Sequence, residues 1–337
     1  MTNIRDVAES AGVSIATVSR VINQEKKVSP DTKAKVEKAI SDLNYQPNYL
    51  GRNLRRSETK MVLVILQNIA NPFYSKVVKG IEDIGHKHGY NTMICNTDSD
   101  SKRERSYLEL LKNRLVDGVI LMEPEIDGKE LSEINQHFPV VQCCEYKEEV
   151  NVSHISIDNV AAGFTAVKHL IDQGHEKVGM ISASNRLLSA KQREKGYKRA
   201  LRQFGIDFDP DLIKYGSYGF NGGLRSAQEL LKSETKPTAI FAISDITAIG
   251  AIRGIKEKGL KVPEDIAVVG FDNTSIASMY DPKLTTISQP RYELGKITME
   301  ILLEQIQDKK KEGQTMKVKK DYLEHELITR ESSLLKK

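Results

Sequence analysis

Cysteine is scarce. Cys95, Cys143 and Cys144 are the three in 337 residues, an odd number with two adjacent, which excludes a disulfide framework. Long apolar runs are missing as well: the longest, Met61–Leu66, falls far short of the roughly 20 residues that a bilayer span requires. Residues 1–9 hold no apolar signal core. The chain also lacks enzyme signatures. It has no G-x-x-x-x-G-K-S/T, no G-x-S-x-G and no G-x-G-x-x-G, because Gly216, Gly219 and Gly222 stand at the wrong spacing. The seven histidines are scattered and none pairs at i, i+4, so zinc is not expected. Asn96, Asp98 and Asp100 alternate like a calcium loop but lack its glycine and distal glutamate, which leaves a solvated loop and helix cap. The expectation is a cytoplasmic protein with no membrane contact, catalytic residue, metal or cofactor.

What is present is ordinary in amount and uneven in place. Hydrophobic residues make up 39% and charged residues 28%, which is globular usage, and the length exceeds one ordinary core. Two or three folding units follow. Residues 1–60 carry 11 Lys+Arg against 7 Asp+Glu, whereas the rest of the chain holds 39 of each, so the whole net charge of +4 lies at the start. A small basic module on a neutral body suits a polyanion-binding head, and equally a solvated basic end without a partner.

The first 44 residues read as three short helices. Asn3 caps a helix with Ile4, Val7, Ala8 and Ala11 on one face, and Gly12 ends it. Ser14 caps a second, with Val18, Val21 and Ile22 inward. Ser29-Pro30 opens a third, with Val36, Ala39, Ile40 and Leu43 inward. Residues 45–60 form a basic linker, interrupted by Pro47. Beyond it, continuous apolar runs (Met61–Leu66, Thr92–Cys95, Gly118–Met122, Val140–Cys143, Val178–Ile181, Ala239–Ile243, Ile266–Val269) alternate with amphipathic helical stretches. That alternation predicts an α/β body of two doubly wound parallel-sheet lobes, because such strands are buried on both faces. Lys309–Lys320 reads as a charged surface loop, and Tyr322–Ile328 as one last strand.

The most specific segment is Ile4 to Asn23. Two short helices meet at a Gly-containing turn, and the second presents Ile15, Ala16, Thr17, Ser19, Arg20 and Asn23 outward. Small groups fit a groove, hydroxyls and an amide suit phosphates, and an arginine can fork onto a guanine edge. An ordinary helical hairpin with a wet polar face has the same pattern. In the body, Asn71-Pro72-Phe73-Tyr74, Ile157-Asp158-Asn159, Arg193, Ser244-Asp245 and Gly270-Phe271-Asp272-Asn273 sit largely at strand ends, where open parallel sheets place ligand sites. Aromatics with carboxylates and an arginine suit a small polyhydroxylated ring. Taken singly, Asp158 and Asp245 also suit helix caps, and Phe73 and Tyr74 suit core packing.

The opening segment resembles the headpiece of the LacI/GalR family of bacterial transcription repressors, with its V-A-x-x-A-G-V-S-x-x-T-V-S-R-x-x-N pattern. The resemblance continues through Leu43-Asn44-Tyr45-Gln46-Pro47-Asn48 and the hinge-like Arg52-Asn53-Leu54, and from Met61 to about Arg330 as a periplasmic-binding-protein-like body. It implies a helix-turn-helix head over residues 1–46, a hinge helix and linker over 47–60, and an effector-binding and dimerisation body over 61–337. It implies DNA contacts from Tyr45, Asn48, Arg52 and Arg55 beside those of the second helix, with Leu54 as the minor-groove wedge. Arg193 and Asp272 would grip the effector, Phe73 and Tyr74 would wall it, Tyr218 would add a second ring, and Asp158 would lie near the cleft. Ser189 and Leu187 fall where members differ by ligand, and depart from the pattern of a purine-base co-repressor. Leu50–Asn53 and Ser288–Glu293 look most like the cytidine-responsive branch. The implied partners are double-stranded operator DNA, a sugar or nucleoside effector, and a second copy of the chain. With no heptad tail after Ile328, a dimer is expected.

Overall fold

The computed structural model describes residues 2–22, 28–45, 58–183, 187–311 and 316–334. It divides into two compact units, Met1–Thr59 and Lys60–Lys337.

The first unit holds α1 (Ile4–Ala11), α2 (Ile15–Ile22) and α3 (Pro30–Asp42). Each start is set by a cap. Asn3 Oδ1 accepts the N–H groups of Arg5 and Asp6 while Asp6 accepts that of Asn3, a reciprocal box. Ser14 Oγ accepts the Thr17 N–H at 3.1 Å and Ser29 Oγ that of Thr32 at 3.3 Å. Gly12 ends α1 at φ +64°, a conformation that side chains with a Cβ resist. The core is Val7, Ala8, Val18, Val21, Val36 and Ala39, with Ile4, Leu43 and Tyr45 packed against it.

The second unit carries, in chain order, strands β1 (Met61–Leu66), β2 (Asn91–Asn96), β3 (Gly118–Leu121), β4 (Val140–Cys143), β5 (Ser153–Ile157), β6 (Val178–Ala183), β7 (Ile213–Gly216), β8 (Ala239–Ala242), β9 (Ala267–Asp272), β10 (Thr285–Ser288), β11 (Lys320–Leu323) and β12 (Glu326–Ile328). Its helices are α4 (Phe73–Lys87), α5 (Ser101–Lys112), α6 (Gly128–His137), α7 (Asn159–Asp172), α8 (Leu188–Gln203), α9 (Phe220–Leu230), α10 (Asp245–Lys256), α11 (Ser275–Met279) and α12 (Arg291–Lys310). Two sheets form, ordered β11-β5-β4-β3-β1-β2 and β12-β10-β9-β8-β6-β7. All pairings are parallel except β12 on β10. The inner strands are buried on both faces, as helix-covered parallel sheets require.

The chain passes between the lobes after Ile157, after Ser288 and after Leu323. The last passage corrects an expectation. Tyr322–Ile328 is not one strand: β11 adds to the first sheet in parallel and β12 to the second in antiparallel fashion, with Glu324 and His325 between. The expected surface loop from Lys309 likewise begins inside α12, which runs to Lys310. No helix among the described residues is long and apolar enough to cross a membrane.

Candidate functional site

In a parallel sheet every strand ends on the same side, and the residues just past those ends face the partner lobe. Here they enclose a cavity of about 420 Å³. Gln67 and Asn68 follow β1, Glu123 follows β3, Cys144 and Glu145 follow β4, and Ile243 follows β8. Asp272 ends β9 and Gln289 follows β10. Helix starts supply Phe73 and Tyr74 from α4, Asn159 from α7, and Ser189, Ala190 and Arg193 from α8. Tyr218 completes the wall.

Arg193 is the best anchored of these groups. It is 7% exposed, and its Nε donates to Asn159 Oδ1 at 2.9 Å and its Nη1 to the Ile243 carbonyl at 2.6 Å. Its guanidinium lies 3.6 Å from the centroid of the Phe271 ring. Close helix packing sets its position. Gly163 of α7 and Gly196 of α8 lie so near the opposite helix that a Cβ on either would collide with the backbone of Arg193 or Val160. Asp272 is 4% exposed and accepts a 2.8 Å bond from Gln289 Nε2. Its backbone takes φ +107°, a conformation side chains avoid, so the surrounding structure holds it there. Burial raises its carboxyl above the usual range, Arg193 draws it back, and Asp245 behind it adds to the rise.

The first lobe supplies rings and acids. Phe73 and Tyr74 meet edge to face at 5.4 Å. Burial pushes the carboxyls of Glu123 and Glu145 up. Glu145 Oε2 reaches across the cleft to accept the Ser189 N–H at 3.2 Å, at the start of α8, where a helix favours negative charge.

Of the expected effector residues, Phe73, Tyr74, Ser189, Arg193, Tyr218 and Asp272 come together around this cavity. Asp158 and Asp245 do not line it. Asp158 caps α7, accepting the N–H groups of Val160 and Ala161 at 3.0 and 2.9 Å, and it is its neighbour Asn159 that faces the cavity. Asp245 is fully buried behind Asp272. It accepts from the Thr274 N–H, the Thr274 hydroxyl and the Thr286 hydroxyl at 2.6, 2.8 and 2.6 Å, tying down the loop after β9. Glu123, Cys144 and Glu145 were not singled out from the sequence, although their position just past apolar strands was a usable signal.

On the first unit, α2 turns Ile15, Ala16 and Arg20 to the exterior, with Thr17 and Ser19 half-buried beside them. Thr17 Oγ1 pairs with Ser14 Oγ at 2.9 Å. Tyr45 packs against the three-helix core. Asn23, Asn48, Arg52, Leu54 and Arg55 lie outside the described residues.

Comparison with known proteins decides the family. Residues 3–48 match the bacterial regulatory proteins of the lacI family, and residues 59–326 match the periplasmic binding proteins and sugar binding domain of that family. The chain belongs to the LacI family. It is 39% identical to the HTH-type transcriptional repressor CytR of Escherichia coli K12 over 305 residues, covering 90% of this chain and 89% of that protein. It is 37% identical to the HTH-type transcriptional regulator RegA of Clostridium saccharobutylicum, over 99% of each chain. The lac repressor dimer, solved with operator and an anti-inducer, superposes with a TM-score of 0.87 at 28% identity over 99% of both chains. This LacI-family chain is a DNA-binding transcriptional repressor with an effector-binding body.

Proposed function

We propose that this repressor acts in the cytoplasm as a homodimer whose two heads read a pseudo-palindromic operator, and that a sugar or nucleoside held in the cleft sets how tightly they do so. One observation carries the reading. The same chain joins a helix-turn-helix unit with an outward face of Ile15, Ala16 and Arg20 to a cleft in which buried Arg193 and Asp272 face a 420 Å³ cavity. A single head buries little surface, so two on a symmetric dimer supply specificity. We infer that the hinge expected over residues 47–60 forms its helix together with DNA and a partner hinge, since an isolated segment of that length is marginal as a helix. Its Leu54 wedges the minor groove, while Asn23, Tyr45, Asn48, Arg52 and Arg55 contact the duplex.

Within the cleft, Arg193 and Asp272 suit paired hydroxyls, and Phe73, Tyr74 and Tyr218 suit a ring face. The carboxyls of Glu123 and Glu145 suit a ligand that also presents N–H donors, which a nucleoside with an amino-bearing base does and a plain sugar does not. Ligand binding alters the angle between lobes, a coupling worth about 1–3 kcal/mol.

Duplex binding as a function of salt tests the reading. Affinity for a palindromic site falls steeply between about 50 and about 200 mM salt if several phosphates are contacted. A chain lacking residues 1–60 loses operator binding and keeps its ligand response; operator affinity that survives the truncation removes the head from the function.

A further inference from the structure

We propose that Cys144 at the effector cleft and Cys143 buried directly behind it form a preorganised dithiol site, reached from the cleft through Cys144, which captures singly substituted trivalent arsenicals and equivalent soft electrophiles that take two sulfurs. Consecutive residues of a strand normally point to opposite faces. Cys143 closes β4 and is fully buried in the first-lobe core. Cys144 follows it at φ +71°, in the left-handed region, with its N–H donated to the Ile155 carbonyl and its carbonyl accepting the Ser156 hydroxyl, each at 2.8 Å. That turn folds Cys144 back, so it packs against the same core as Cys143 while also lining the cavity. The two Sγ atoms stand 3.6 Å apart, and both thiols are free. A left-handed conformation in a residue with a side chain is costly and persists where the surroundings impose it. Here it brings together two sulfurs that an extended chain would separate.

The separation selects the chemistry. A disulfide needs about 2.05 Å, so closing one here would pull both sulfurs well out of place. A single bridging atom with bonds of about 2.3 Å, the length of a metal–thiolate bond, spans roughly 3.3–3.8 Å between its sulfurs. Among the described residues no third His, Cys, Asp or Glu converges with this pair to complete a metal site. Two sulfurs without a third ligand fit an atom that already carries one substituent. The neighbouring Cys143 sulfur, burial and the nearby Glu145 and Glu123 all push the Cys144 thiol up, which keeps it protonated and slow toward ordinary alkylation. Capture suits neutral thiols: R–As=O and two –SH groups give R–As(S–)₂ and water. Two As–S bonds form, the As=O and both S–H bonds break, both protons leave on the oxygen, and arsenic stays trivalent.

The test uses the reduced full-length chain and phenylarsine oxide, read by intact mass and by counting thiols. One equivalent should add to the native protein and lower the titratable thiols from three to one. Cys95→Ser should behave the same way with its remaining pair, whereas Cys143→Ser and Cys144→Ser, each checked for an unchanged melting curve, should lose the adduct to a monothiol wash. The native chain should hold the arsenical at least tenfold tighter than the urea-unfolded chain, since adjacency in sequence alone offers an unarranged dithiol. Equal affinity in the two states, an adduct that survives in Cys144→Ser, or one that requires Cys95 would each overturn the proposal.

Discussion

The two lobes share one strand order, apart from the direction of the edge strands β11 and β12, but bring different things to the cleft. The second lobe presents groups already held in place: Arg193 by Asn159, the Ile243 carbonyl and the Phe271 ring, and Asp272 by Gln289 over the buried Asp245. The first lobe presents Phe73 and Tyr74 together with carboxyls that burial pushes up, Glu123 and Glu145. A charge locked before the ligand arrives costs no ordering on binding, so on the proposed reading the second lobe supplies affinity. On that reading, the first lobe's rings and acids then discriminate among the molecules that Arg193 and Asp272 would accept.

The largest break in that division is Arg193→Ala. It removes the anchored cation and leaves Asp272 buried beside Asp245 with less compensation. Truncating one partner of a buried charge contact with a ligand costs about 2–5 kcal/mol, which in affinity is roughly thirtyfold or more. Titration calorimetry with the ligand that best raises the melting temperature should find no measurable binding, with melting confirming a folded body. Wild-type affinity in this variant would place the ligand elsewhere.

A buried acid of the first lobe, away from the cleft, tests the contrast by pH. Glu104 of α5 is 1% exposed and accepts the N–H groups of Glu125 and Ile126 at 2.8 and 3.0 Å, yet its Oε1 has no partner among the described residues. Burial pushes its carboxyl from 4.5 up to about 7. Between those values the folded chain holds a proton that the unfolded chain has released, so the stabilisation is complete below the lower value and fades as pH rises through the upper one. Glu104 should therefore account for a loss of about 3 kcal/mol in going from about pH 4 to about pH 8. Glu104→Gln keeps an acceptor for both N–H groups and should flatten that slope in urea denaturation; an unchanged slope would assign it to other groups.

The legible parts of this molecule are those decided locally. The three head helices begin where Asn3, Ser14 and Ser29-Pro30 dictate and the first ends at Gly12, because a cap acts within one turn. The strand β5 hid behind Ser153, His154 and Ser156, polar residues that look solvent-facing. They are buried because Ser153 bonds Gln305, Ser156 bonds the Cys144 carbonyl, and His154 stacks on Tyr146 at 3.9 Å. The long α12 showed no single apolar face because it is buried on several sides, against α4 and the first sheet. At the site, Arg193 and Asp272 were readable from the family resemblance. Which acid near a strand end faces the cavity was not: Asp158 spends its oxygen on the local cap of the following helix, as its sequence position allows, whereas Asp245 spends its own on Thr274 and Thr286, donors that only the folded chain brings near.

The smallest effect probes the seam itself. Gln192, one residue before Arg193 on α8, extends Nε2 across to the Tyr146 hydroxyl at 3.2 Å and to Glu148 Oε1 at 3.3 Å, both on the first lobe. The Tyr146 hydroxyl in turn meets that of Tyr322 on β11 at 3.0 Å, in the segment where the chain passes between lobes. Bonds that span two lobes stabilise their closed arrangement and are absent when the lobes part, so their removal acts on the opening equilibrium more than on the fold. Gln192→Ala should shift that equilibrium by about 1 kcal/mol, the usual net worth of a hydrogen bond. Ligand affinity should fall roughly fivefold, by the corresponding Boltzmann factor, with a near-native denaturation midpoint. Small-angle scattering of the ligand-free chain should show a more extended body. A variant that loses stability in proportion to its loss of affinity would instead make Gln192 part of the core of its own lobe, and the contrast between an anchored lobe and a closing one would lose its mechanical side.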